Sequence, residues 1–194
     1  MKRPALALLL FVSAQGVLQA QEAYQGADVD ERHKKCIAHI VYGETFNTRG
    51  PGRHEPIEGQ FAVAWSIIFR AATNLPEYGG SDYCDVAYKR TPGRWQYDGA
   101  KVQPGRESNT WQAALWVAEM TLQGYGRPNV PVMYFCSVVV KWNACSWHDN
   151  ARWPNGAKKL EPKGLVGGHR FYIDLRYPEY QLPPDQYQMA SDDH

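Results

Sequence analysis

The chain has 194 residues and a formal net charge of +1 at pH 7; 44% of it is hydrophobic and 13% aromatic, with seven Trp and twelve Tyr. That is enough for one domain with a real core, and too apolar for a disordered chain. The near-neutral charge excludes nucleic acid as a bulk electrostatic partner, and the aromatic excess suits either an aromatic core or a groove that stacks on sugar rings.

The N-terminus reads as an export signal over residues 1–20. Lys2 and Arg3 form the charged start, Ala5 to Val12 the apolar stretch, and Gln15 to Ala20 a small-residue exit with a cut after Ala20. The apolar part is short for a bilayer span, an uncleaved anchor being the alternative. Residues 21–194 then form one domain, with its core at about 33–176. Residues 21–32 read as a loose polar arm. Ile37, Ile40 and Val41 recur at helical spacing and predict a helix over 33–44. Asn47, Gly50, Pro51 and Gly52 predict a loop over 45–54.

Pro56 suits the first turn of a second helix, with Glu55 and Glu58 favourable to its dipole. Phe61, Ala64, Trp65, Ile68 and Phe69 line its stripe, and Asn74 and Pro76 end it. A Gly-containing turn (78–82) and a short apolar piece (84–88) follow. Residues 89–109 read as irregular and hold Trp95-Gln96-Tyr97-Asp98-Gly99. Trp111, Leu115, Ala118 and Leu122 predict a third helix over 110–123, stopped by Gly124. Residues 130–140, with Tyr134 and Phe135 among valines, predict a strand. Residues 141–166 read as a long loop holding Trp142, Trp147 and Trp153, and 167–175 as a final strand. On that strand His169 and Phe171 share one face, Arg170 and Tyr172 the other. Three helices and a small antiparallel pair make an α+β domain. Its long loops 45–54, 89–109 and 141–166 are expected to gather near the end of the first helix.

Export places the four cysteines in an oxidising compartment, where three pairings are possible. Cys36 with Cys84 and Cys136 with Cys145 is the expected one. A zinc site competes, but the spacing has no C-x-x-C pair.

Glu44 is the residue with the clearest chemistry. It ends an apolar helical run at the mouth of a helix pair, where desolvation and the helix dipole both raise a carboxyl pKa. A group that keeps its proton near pH 7 suits a general acid, half of what glycoside cleavage needs. The bland alternative is a solvated helix-end carboxylate. A second carboxylate would have to stand about 5–9.5 Å away. Glu55, Glu58 and Asp98 are the candidates, the two glutamates being more simply explained as helix-start charges.

Taken in order, Ala38, Val41-Tyr42 and Glu44, then Glu55-Pro56 and Glu58-Gly59-Gln60 with Ala62-Val63-Ala64, then Tyr83-Cys84-Asp85-Val86-Ala87-Tyr88, then Gly167-Gly168-His169 with Phe171-Tyr172, resemble the SleB-type cell-wall hydrolase family. The resemblance runs from Ala38 to Tyr172. It implies a mainly helical, lysozyme-like α+β domain that cleaves peptidoglycan between N-acetylmuramic acid and N-acetylglucosamine, typically as a lytic transglycosylase. It implies Glu44 as the catalytic glutamate and supports the Cys36–Cys84 pairing. Trp95 to Gly99 resembles the family's Gln-Phe-Ser-Trp region more loosely. The implied substrate-binding set is Gln60, Glu55, Trp95, Tyr97, Asp98, Tyr134, His169 and Tyr172. Trp95, Tyr97, Trp142 and Trp147 are candidates to stack on glycan rings, Gln60 to hold an acetamido group, and His169 to orient a carboxylate or a sugar.

Residues 45–54 lengthen a stretch that the family usually runs as Glu-Ala-Arg-Gly-Glu-Pro. The family's Asn-Arg pair appears as Phe69-Arg70, and Cys136 stands where a His is usual. No cofactor, nucleic acid or lasting membrane anchor is expected. The expected partner is the glycan strand, and the expected form an exported monomer, periplasmic or extracellular. Two rivals remain: a zinc amidase using His148, Asp149 and His169, which lacks the H-E-x-x-H spacing, and a glycan-binding module without turnover.

Overall fold

The apolar stripe of the first helix is real. In α1 (Glu31–Val41), Cys36, Ile37, Ala38, Ile40 and Val41 are all buried. The computed structural model describes residues 31–46, 56–105, 108–137, 145–152, 154–166 and 168–176. The expected leader, Glu55, Trp142, Trp153 and the side chains of Phe46 and Trp147 lie outside the described residues. The α-helical register stops three residues before Glu44, and Tyr42–Phe46 continue as a π-helical turn. π turns are rare and cluster at functional sites.

α2 (Ile57–Ala72) starts behind Pro56 and is buried on nearly every side, the pattern of a central helix. Asn74, with φ 51°, turns the chain away after it. α3 (Tyr83–Ala87) is capped by Asp82, whose Oδ1 accepts from the amides of Cys84 and Asp85 at 2.9 and 3.0 Å. A small hairpin, β1 (Arg90–Thr91) and β2 (Arg94–Trp95), leads into a 3-10 helix at Asp98–Lys101. α4 (Asn109–Leu122) begins at Ser108, whose Oγ accepts from Trp111 N. Then come β3 (Tyr134–Ser137), α5 (Ser146–Asn150), β4 (Leu160–Val166) and β5 (His169–Asp174).

The fold is α+β. The sheet, however, is an antiparallel trio in the order β3-β5-β4, where a pair is expected. β4 hides in the supposed loop 141–166 because Pro162 and Gly164 break its pattern. Such residues belong to edge strands, and the register shifts between them. α5 lies in the same stretch.

The main core joins α1, α2 and α4 with Met133 and Phe171; Cys136, Cys145, Leu160 and Tyr172 form a second cluster. Cys36–Cys84 ties α1 to α3, and Cys136–Cys145 ties β3 to α5. Among the described residues no helix is long and apolar enough to cross a membrane. The bridges and this absence are compatible with export. Closing the longer span restricts the unfolded chain more. Replacing Cys36 and Cys84 by Ser is expected to cost about 4 kcal/mol, against about 2.5 kcal/mol for Cys136 and Cys145. Urea midpoints of the two double variants check the order.

Candidate active site

Glu44 sits on the π turn and is 8% exposed. Its Oε1 accepts a hydrogen bond of 2.6 Å from the amide of Gly99, in the 3-10 helix. Two glycines make that contact possible. A Cβ on Gly43 would stand 2.3 Å from the Gly99 carbonyl oxygen, and one on Gly99 would stand 2.9 Å from Glu44 N. The two backbones therefore touch where no other residue type fits. Burial pushes the Glu44 carboxyl above the ordinary carboxylate range. The Gly99 amide opposes this most, with His169 and Arg70 adding to the opposition, while Asp98 adds to the rise. Desolvation wins, so the proton is held to higher pH than on a solvated glutamate.

Residues expected around Glu44 are placed unevenly. His169 is 1% exposed and meets the Phe135 ring edge-on at 5.3 Å. Gln60 is buried at the first turn of α2. Tyr97 acts electrostatically on Glu44's neighbourhood, but it is closed in by Phe135 and Arg70, with its hydroxyl 3.1 Å from Ser66 Oγ. It packs, and presents no open face to a sugar. Asp98 points to solvent, where Lys101 pairs with it at 2.6 Å. Trp95 is half-buried, with the Arg90 guanidinium 3.9 Å from its ring centre.

Tyr134 bonds its hydroxyl to that of Tyr78 at 2.8 Å. Tyr172 leaves the Glu44 group altogether. It is wholly buried on the opposite face of β5 from Phe171, donates to Asp149 Oδ1 at 2.8 Å, and stacks on His148. Of the long loops, 89–109 reaches the carboxyl through Gly99; the described part of 141–166 supplies α5 and β4 instead.

The zinc rival loses its geometry. His148 and Asp149 face Tyr172, whereas His169 sits beside Phe171. Burial, then the charge of Arg70, pushes His148 down to about 4. Donor atoms of His33, Asp82 and Cys84 do come within 4.8 Å of one another, but Cys84 is spent in its disulfide.

Three features escape a reading of the sequence: the π turn, the Gly43–Gly99 contact, and the part played by Arg70, a cation inside the apolar run Ile67 to Ala71. The last carries a signal, because charge within a buried helix needs a reason. Comparison of the chain with family models, curated proteins and solved structures returns no match.

Proposed function

We propose that this protein degrades peptidoglycan by cleaving the N-acetylmuramyl–N-acetylglucosamine bond, with Glu44 as the acid, in a helical lysozyme-like domain exported to the periplasm or beyond. One observation carries the reading. Glu44 is desolvated on a π turn, its pKa is raised, and a backbone amide is fixed against the oxygen that becomes anionic when the proton leaves.

Glu44 donates its proton to the glycosidic oxygen, and the bond from C1 to that oxygen breaks. The muramyl 6-hydroxyl closes on C1, and its proton passes to the Glu44 carboxylate, restoring the acid. Gly99 N–H steadies the charge on Oε1 between the two transfers. Asp98 turns outward to Lys101, which suits ring closure by proximity better than a base-activated water. Muropeptides released from purified sacculi are expected to carry 1,6-anhydro ends by mass spectrometry. Hydrated reducing ends alone would exclude the transglycosylase route and favour a hydrolytic muramidase. Retention of sacculi without soluble fragments would mark a binding module.

A further inference from the structure

Arg70 occupies the last turn of α2 and is 4% exposed. Burying a guanidinium is costly unless its donors are met. Nε donates to the Met133 carbonyl at 2.6 Å, just before β3, and Nη1 to Gln96 Oε1 at 3.0 Å. The rings of Tyr97 and Tyr134 each lie 4.7 Å from its Cζ, and that of Tyr78 lies at 5.5 Å. Gln96 is held at its other end too: Nε2 donates to the Glu77 carbonyl at 2.6 Å. That pairing fixes which way the amide faces. Arg70 thus grips consecutive residues, one by a hydrogen bond and one by its ring, and Gly99 follows two positions later.

We infer that Arg70 is a positioning residue for Glu44: through Gln96 and Tyr97 it sets where the Gly99 amide stands, and its charge lies in the same core as the carboxyl. This rests on reading Glu44 as the acid. The groups acting on Glu44 are Asp98 and the Gly99 amide from the 3-10 helix, His169 from β5, Arg70 from α2, and the Tyr97 phenol between them. Arg70 opposes the rise caused by burial. Without its charge, Glu44 holds its proton to still higher pH.

The test pairs NMR titration of the Glu44 carboxyl with turnover on purified sacculi. Gln96→Ala, at a half-buried position, is expected to lower kcat about tenfold with KM unchanged. Arg70→Lys keeps the charge and loses the fork, so kcat falls about tenfold and the Glu44 titration rises only through the displaced Gly99 amide, by less than in Arg70→Gln. Arg70→Gln moves the Glu44 titration, and the alkaline limb of the rate profile, to higher pH. Wild-type kcat in Gln96→Ala would overturn the positioning role, and so would an unmoved Glu44 titration in folded Arg70→Gln. Should Arg70→Gln not fold, Gln96→Ala and Arg70→Lys still decide. Wild-type protein that leaves sacculi intact would sink the proposed function, while the titration alone would still judge Arg70.

Discussion

Glu44→Gln is expected to release soluble fragments from purified sacculi at least ~100-fold more slowly than the wild type, with its fold intact. The amide keeps the shape of the protonated acid, and its oxygen still accepts from Gly99 N–H. What it lacks is the acidic proton. Full activity in this variant would end the assignment.

Stability supplies an independent check with a definite sign. The Glu44 carboxyl is raised in the folded state above its value of about 4.3 in the unfolded chain. In the window between those values the folded protein binds more protons, so wild-type stability falls as pH rises. Glu44→Gln has no such slope at this position. It should therefore melt at a higher temperature than the wild type at pH 8, and the gap should close at acid pH. Thermal melts at the two pH values measure it. A parallel pH response in the two proteins would mean that Glu44 is ionised at little cost, which removes the ground for the acid.

The parts of this site that local pattern encodes are those set by local physics. Ile37, Ile40 and Val41 mark α1 because a helix buries one stripe, and Glu44 follows the stripe at its end. Cys36 and Cys84 meet because one lies within α1 and the other within α3, two helices packed together. The π turn has no such signature. It lies where Gly43 and Glu44 meet Gly99, a tertiary contact that no window of sequence contains. Tyr97 and Tyr172 mislead for the same reason. An aromatic residue looks alike whether it lines a groove or fills a core, and only the Arg70 cage and the His148 stack decide that these two fill cores. β4 escapes because an edge strand tolerates the proline and glycine that disguise it.

Gly43→Ala is expected to be the most damaging single methyl that can be added near the site. Its Cβ would stand 2.3 Å from the Gly99 carbonyl oxygen and 2.4 Å from the Gly99 Cα. Both are backbone atoms, so no rotamer change relieves the contact. To reach the 3.4 Å of ordinary contact, the oxygen must retreat by 1.1 Å (3.4 less 2.3). A shift of that size carries the Gly99 amide with it and takes the 2.6 Å bond to Glu44 Oε1 out of hydrogen-bond range. The variant should lose more than about 3 kcal/mol of stability. Below its melting temperature, turnover on sacculi should fall at least ~100-fold, because a displacement of about 1 Å is enough to misplace a catalytic group.

Gly99→Ala should be milder in both respects. Its nearest clashes are 2.9 Å to Glu44 N and 3.0 Å to Gly43 C and Ile40 O. Gly156→Ala separates this effect from glycine loss in general. Gly156 has φ 83° and open space around its missing Cβ, so it costs only about 1 kcal/mol of backbone strain and leaves turnover alone. The order Gly43 worse than Gly99 worse than Gly156, in melts and in turnover together, is what a backbone contact that holds the acid in place requires. Equal losses at Gly43 and Gly156 would mean that the close approach does nothing for Glu44.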